Sequence, residues 1–528
     1  MASPSSQMVY PSRLLAIPFE VLINITSYLT TPEYGGLRVV CRHLDASLFQ
    51  PFAREFFTKK AFILTEFSLQ ALVDISNSRF GPSLKCLIIN LERPGTIQWS
   101  APNSISREEF YNHKTLMSSG RDVELITEAL RNLPNLETFG LRDFPSSGRY
   151  RDGGAELWRP YGAQTFERQT GAMLSRPSFN YNNERQMSAN LIYVCHAFLT
   201  SLRALGHAKM AHCPPRLEVI LRHCHIPDFG FNIPRYLEPT ILPVLQDLKV
   251  LFLDLGRLTF PSYMVKMGAI IEAYPGFLAT LFLSKLQSLE HLRLNFRDCA
   301  DGAATPLFRW LAQSPPTLQT LTAPVGPALG VGSDRVPSLP DAPSLPRLEQ
   351  LDIGMITTEL FPLLGLFRRY KSSLRKISLH RVRLQPGGLT GDEPVKTNLW
   401  ARFLDQTTKL GINISSIELS EIELSDHIGL YPVEFRDPHR MSVATHIFKK
   451  GWAGSDWERG SRELIDSLFV DLHDDDTEDE DDGMEDYFLT DLDGKLHVTL
   501  EPLIILQALV AMRRDCLLAN IYRILRNG

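Results

Sequence analysis

The chain has 528 residues, a formal net charge of −5, 44% hydrophobic and 22% charged side chains, a balance close to that of ordinary globular proteins and sufficient for a sizeable core. The opening MASPSSQMVYPSR lacks a basic flank followed by an apolar stretch, and the apolar run near the C-terminus is cut by Glu501, Gln507 and Arg513-Arg514. Neither secretion nor membrane spanning is therefore supported, and a cytoplasmic or nuclear location is expected. The seven cysteines, at 41, 86, 195, 213, 224, 299 and 516, show no CxxC spacing and read as reduced, mostly buried thiols.

The pattern begins at Leu14, after a stretch over residues 1–11 expected to be disordered. Ile17, Val21, Leu22, Ile25 and Leu29 share one helical face, with Phe19 and Ile23 about a third of a turn away. Pro18 suits a first helical turn, and Glu20 complements the positive end of the helix dipole. Thr31, Pro32 and Glu33 repeat this start signal, and Leu37, Val40, Cys41, Leu44 and Leu48 continue at steps of three and four as a second helix. A third run, Leu48, Phe52 and Phe56 beside Phe49, Ala53 and Phe57, extends the bundle despite Pro51. Two apolar faces on so short a module predict two burial surfaces, one for a partner; a hairpin packed on the rest of the chain is the alternative.

Ile17, Pro18, Glu20, Val21, Leu22, Ile25, Tyr28 and Leu29, followed by Leu37, Arg38, Val40, Cys41 and Arg42, resemble the F-box over residues 12–57. The departures are Ile17 in place of leucine and Gly35-Gly36 in the second helix, which weakens it by about 1 kcal/mol per glycine. The resemblance implies that Ile17, Pro18, Glu20, Val21, Leu22, Ile25, Leu29, Leu37, Val40 and Cys41 contact a Skp adaptor and, through it, a cullin.

Beyond the module, a phrase of the form Leu-x-x-Leu-x-Leu recurs. It stands at Leu84/Leu87/Ile89, Leu136/Phe139/Leu141, Leu248/Leu251/Leu253, Leu289/Leu292/Leu294, Leu348/Leu351/Ile353, Leu374/Ile377/Leu379 and Ile414/Ile417/Leu419, with weaker copies from Arg216 and Thr317. The last two aliphatic positions alternate as in a short strand, and the first tucks in from the preceding turn. Segments 359–370, 307–313 and 398–410 carry helical periodicity, giving a unit of helix, turn and strand. No such unit buries its apolar face alone, so neighbours must stack. The fold class expected is α/β: a small helical F-box, then, over residues 58–470, an irregular leucine-rich-repeat-like solenoid with a parallel inner sheet. An ordinary α/β sheet is the alternative. The combination resembles the F-box proteins with degenerate leucine-rich repeats of filamentous fungi.

Two segments interrupt the array. Residues 142–185 hold seven arginines, several aromatics and many Gly, Pro, Ser and Asn, and read as a long insertion loop. Tyr150, Trp158, Arg159 and Tyr161 are the candidate target-binding residues, since such side chains dominate recognition hot spots; a loop folded back over the sheet edge fits equally. Five acidic residues in this loop, Asp143, Asp152, Glu156, Glu167 and Glu184, disfavour nucleic acid. The second interruption lies within 471–486: Asp474 to Asp486 carries ten acidic residues in thirteen, reads as a disordered loop, and leaves +5 on the remainder. Residues 487–528, with a turn at Asp493-Gly494 and helical periodicity from Leu503 to Leu525, read as a C-terminal cap.

His207, His212, Cys213, His223, Cys224 and His225 form the nearest approach to a metal cluster, with spacings of neither zinc fingers nor catalytic zinc motifs. No GxxxxGK[ST], GxSxG or HExxH occurs, so no cofactor and no metal is expected. The resemblance implies a non-catalytic, substrate-recognition subunit of a Skp–cullin–F-box ubiquitin ligase. An F-box scaffold or regulator acting without ubiquitin transfer remains open, as does a ligase that forms its own thioester at Cys299 or Cys516.

Overall fold

The computed structural model describes residues 17–95, 104–146, 150–153, 158–171, 173–178, 184–208, 214–256, 277–297, 305–312, 345–386, 398–425, 429–436 and 447–470. These fall into two compact units, one holding the described residues up to Phe56 with those of Ser147–Trp158, the other those of Phe57–Ser146 and Arg159–His473.

The first unit is built on three helices: α1 (Phe19–Ser27), α2 (Thr31–Val39) and α3 (Arg42–Phe57). Thr30 starts α2 by donating from its N–H and its hydroxyl to the Glu33 carboxylate, at 2.8 and 2.7 Å. The continuous second helix expected through Leu44 and Leu48 is instead broken at Val40–Cys41. The Val40 N–H turns back to the Leu37 carbonyl, while the Cys41 carbonyl accepts from Asp45 and opens α3, which runs through Pro51. Leu22, Leu29, Tyr34, Leu44, Leu48 and Phe56 make the core, with Tyr34 edge-on to Phe52 at 5.2 Å.

The second unit is mixed α/β with a largely parallel, open sheet. Strands β1 (Lys59–Ile63), β2 (Cys86–Asn90), β4 (Thr138–Arg142), β6 (Arg216–Ile220), β7 (Val250–Gly256), β8 (His291–Arg297), β9 (Gln350–Glu359) and β10 (Lys376–Gln385) pair in parallel in that order. The short β3 (Arg93–Pro94) and β5 (Leu174–Ser175) pair separately and antiparallel. Next to β10 lie β11 (Ser416–Ser420) and β12 (Glu423–Ser425); β13 (Leu430–Phe435), β14 (Lys449–Ala453) and β15 (Leu468–Val470) add an antiparallel margin.

Helices α4 (Glu66–Asn77), α5 (Ser104–Ser119), α6 (Arg121–Arg131), α7 (Ala163–Thr170), α8 (Glu184–Ala208), α9 (Glu238–Asp247), α10 (Thr305–Ala312), α11 (Leu360–Tyr370), α12 (Leu399–Lys409) and α13 (Trp457–Ser467) connect or flank the strands. Successive ones pack together: α4 on α6, α6 on α8, α8 on α9, and α10 through α13 in turn. Among the described residues no helix is long and apolar enough to cross a membrane.

The register explains the recurring phrase. Leu87, Phe139, Leu217, Leu251, Leu292, Leu351, Ile377 and Ile417 lie side by side, and two residues on, Ile89, Leu141, Val219, Leu253, Leu294, Ile353, Leu379 and Leu419 form a second row. Both rows are buried, as are Leu84, Leu136, Leu248, Leu289, Leu348, Leu374 and Ile414, which precede the strands. At the entries of β8, β9 and β10 two adjacent N–H groups converge on one carbonyl at the start of the preceding strand: Glu290 and His291 on Lys249, Glu349 and Gln350 on Glu290, Arg375 and Lys376 on Glu349. The weak copy from Arg216 is β6; the one from Thr317 lies outside the described residues, and β8 pairs directly with β9.

Past the second row the strands kink together. Met355, Arg381 and Glu421 have φ of 57, 52 and 50°, in the left-handed region that costs a side chain on the order of 1 kcal/mol. They occupy matching places, since Gly354 pairs with His380 and His380 with Ser420. The extra residue shifts the alternation by one, so Ile356, Val382 and Ile422 turn into the core.

Two buried histidines face the helices and loops rather than solvent. His113 on α5 lies 2.8 Å from the Leu64 carbonyl through Nδ1, beside the Tyr193 ring, and burial pushes its pKa down to about 4. His225 is likewise lowered to about 4 by burial; it lies where a Cβ on Gly256 would sit, which reserves that strand end for glycine. Both stay neutral in the folded chain while the unfolded chain takes up protons near pH 6.5, so stability rises with pH between the two values. Thermal unfolding followed by circular dichroism is expected to fall steadily from about pH 6.5 toward about 4, and His113→Asn, which keeps a donor for Leu64, to flatten that slope.

Candidate functional site

The surface of the three-helix unit separates the expected adaptor residues into two sets. Leu22 and Leu29 are buried in the unit's own core with Thr26, whose hydroxyl bonds back to the Ile23 carbonyl. The inward stripe of α1 is thus 22–26–29, and a polar member hid it from an apolar count. Both leucines, expected among the adaptor contacts, are buried in the unit as it stands. Ile17, Ile25, Leu37 and Cys41 are half-buried, and Pro18 and Glu20 are exposed. Val21 is 48% exposed, Phe19 47%, Val39 70% and Val40 67%. Exposed valines at the α2–α3 junction, on a unit with a complete core, form an apolar edge left to solvent.

The loop expected to recognise targets does other work. Arg151, in a 3-10 turn at Tyr150–Asp152, reaches into the helical unit. Its Nη1 donates to the Thr26 and Leu29 carbonyls at 2.5 and 2.6 Å, closing the C-terminal end of α1. Its Nε and Nη2 form a two-pronged pair with Glu55 of α3 at 2.6 and 2.7 Å, and its guanidinium lies 5.1 Å from the Tyr34 ring. Asp152 then accepts from the Thr31 N–H at 2.8 Å and its hydroxyl at 2.5 Å, at the start of α2. One dipeptide, 120 residues downstream, ties the three helices together. Nothing in its local sequence marks this; a carbonyl-rich helix end seeking donors is the one general cue.

In the second unit Arg159 is committed internally, to Glu167 and Glu92, and Arg176 completes the cluster around the buried Glu92. The hydrogen bonds that Arg159 donates to Glu167 and Glu92 hold its pKa up, and Arg159 holds that of Glu167 down. Arg159, expected among the target-binding residues, thus has its guanidinium engaged within the unit. Tyr161 bridges to Phe62 on β1, its carbonyl accepts from the Ser68 hydroxyl, and its ring stacks on Phe67. With α7, and β5 paired to β3, the described part of 159–178 lies folded along the margin of the sheet rather than as an open loop. Trp158 is half-buried, and Tyr150 stands in the turn of Arg151.

The sheet face opposite the buried rows, between β4 and β8, is polar. Glu218 takes Arg142 at 2.9 Å and Arg216 at 2.7 Å, His291 meets Asp352 at 2.8 Å, and Asp254 accepts from Asn295 and the Leu221 N–H. These side chains alternate with the leucines, so the sequence pattern registered them merely as outward positions.

Asp122, His196 and Thr200 also cluster, at 2.5 Å for Asp122–His196 and 3.3 Å for His196–Thr200. Both contacts use His196 Nε2, whereas a relay to a nucleophile needs the two ring nitrogens separately. Among the described residues no three His, Cys, Asp or Glu side chains converge as a metal site; His212 and Cys213 of the candidate cluster, and Cys299 and Cys516, lie outside them. No protein-family model and no curated protein matches the chain.

Two outcomes are expected for the helical unit. Arg151→Ala leaves the Glu55 carboxylate and two carbonyls without their donor and should lower stability by about 2–3 kcal/mol in denaturant melts, with Arg151→Lys recovering less than half because it lacks the fork. Gly35→Ala and Gly36→Ala should each raise it by up to about 1 kcal/mol, since neither Cβ would meet an atom within 4 Å.

Proposed function

We propose that this chain is the substrate-recognition subunit of a Skp–cullin–F-box ubiquitin ligase, with the helical unit as its F-box and the sheet unit as a degenerate leucine-rich-repeat domain that holds a protein target. The observation that carries the reading is the solvent-facing apolar edge of Pro18, Phe19, Val21, Val39 and Val40 on a module whose internal core is complete without it. Of the motif residues, Pro18, Glu20, Val21 and Val40 are exposed and Ile17, Ile25, Leu37 and Cys41 half-buried, while Leu22 and Leu29 belong to the core. Covering the edge with an adaptor makes an interface of about 1,600 Å² in total, the size of stable complexes. In the sheet unit, the two rows of eight apolar side chains and the repeated two-to-one carbonyl contact support stacked repeats.

Chemistry in such an assembly is proximity. The target's lysine is held near a conjugating enzyme's thioester at high effective concentration, and this chain supplies no reacting group.

The test uses exposed positions, because Leu22→Asp would unfold the module instead of probing its surface. Affinity purification of Val21→Asp/Val40→Asp beside the wild type is expected to lose Skp adaptor and cullin together, with an unchanged melting temperature. Adaptor recovered equally from both would sink the assignment; adaptor retained without cullin or ubiquitin transfer would favour a scaffold role.

A further inference from the structure

We propose that the polar face of the sheet between β4 and β8 is a docking strip for an extended, carboxylate-rich segment of a protein partner. The inference rests on the target-holding role proposed above, and it names the chemistry of the target.

Five arginines gather there around two phenylalanines. Arg216 and Arg293 lie 4.4 and 5.4 Å from the centre of the Phe252 ring, and the His291 ring meets its edge at 4.9 Å. Arg222 and Arg142 lie 3.9 and 5.6 Å from the centre of Phe144. Arg297 donates to the Arg222 carbonyl at 2.7 Å. Arg142 and Arg216 share the single carboxylate of Glu218, which offsets one of their two charges. Arg222, Arg293 and Arg297 form no ion pair with a carboxylate among the described residues. The nearest further acids are withdrawn from solvent: Asp143 is fully buried and accepts the N–H groups of Arg222, His223 and Cys224, and Asp254 is held by Asn295 and Leu221. Positive charge remains in excess when Glu218, Asp143 and Asp254 are all counted against the five guanidiniums.

The arrangement favours carboxylates in a particular way. A guanidinium held over a ring has already lost much of its freedom and keeps N–H donors for a two-pronged bond with a planar carboxylate. Strands two apart, such as β6 and β8, are about 10 Å apart, the span of three residues in an extended chain. In the register Arg293 is level with Glu218, and Arg222 lies four residues beyond Glu218, about 13 Å further along the strands, so a peptide with acidic residues about five apart can reach the Arg222 and Arg293 ends together. Glu218 and Asp352 on the same face oppose a continuous phosphate backbone, so nucleic acid is the competing occupant that the experiment must separate.

The experiment is a fluorescence anisotropy titration of the full chain with a fluorescein-labelled dodecapeptide alternating Glu and Asp with Ser and Gly. Saturable binding is expected, weakening at least about fivefold between about 50 and 300 mM salt. Arg222→Glu/Arg293→Glu should weaken it at least about tenfold with the circular dichroism spectrum and melting temperature preserved, while Lys376→Glu, exposed on β10, should change it by less than about twofold. The inference is overturned if the peptide does not bind, if it binds the double variant as well as the wild type, or if an oligothymidylate of equal length binds as tightly and is lost with the same substitutions. Val21→Asp/Val40→Asp is expected to bind the peptide normally, so failure of adaptor capture and failure of this strip are read separately.

Discussion

The constraint on which the sheet unit depends is that its strands share one register. Each strand of the two rows offers two inward apolar side chains that lie beside their counterparts on the neighbouring strands, and the entries of β8, β9 and β10 are each pinned by two N–H groups on a single carbonyl. Neither device depends on the length of chain between strands. Leu251 and Leu292 are neighbours across 41 residues, and Leu351 and Ile377 across 26. Insertions are therefore free to accumulate in the connections while the rows stay intact, since lengthening a loop costs little beyond the logarithm of its size. Irregular spacing in the sequence and regular spacing in space are compatible for that reason.

This also fixes what was legible. The leucine phrases could be placed because the inward positions have a period of two and a preceding leucine three residues back, and the helices at 359–370, 307–313 and 398–410 follow ordinary amphipathic spacing. The shared kink at Met355, Arg381 and Glu421 could not, because none is a glycine and the left-handed backbone there is imposed by neighbouring strands. The break between α2 and α3 was hidden by apolar residues that continue through it in helical phase. The burial of Leu22 and Leu29 was hidden because Thr26, between them on the helix, completes the inward stripe with a hydroxyl satisfied inside its own helix. Arg151 was invisible altogether: its partners are backbone carbonyls and Glu55, more than ninety residues away.

The segment 142–185 illustrates how composition can mislead about role. Arginine and aromatic side chains are the currency of recognition, yet Arg151 and Arg159 are both consumed within the fold, one closing a helix end and the other binding Glu92 and Glu167. A guanidinium carries five donors in a rigid fork, which suits it to any place where several oxygens must be satisfied at once, and the end of a helix is such a place as surely as a partner's carboxylate. What separates the two uses is burial and partners. Arg222 and Arg293, which composition did not single out, have rings beneath them and form no ion pair with a carboxylate among the described residues.

The two surfaces differ in the physics they offer. The edge at Val21, Val39 and Val40 gains free energy by leaving water, a non-directional effect that favours a large complementary cover and tolerates salt. The arginine strip works through charge and oriented N–H donors, which speeds encounter, weakens with salt and discriminates among partners more than it adds affinity. A subunit that must stay attached to its assembly while exchanging targets needs this division: a durable hydrophobic joint on one unit and a faster electrostatic contact on the other. Interchanging the two chemistries would reverse the kinetics, with targets retained and the assembly shed. Under the proposed role, the exposed valines of the helical unit and the arginines of the sheet unit that have no ion-pair partner among the described residues would supply these two contacts, from side chains that neither core uses.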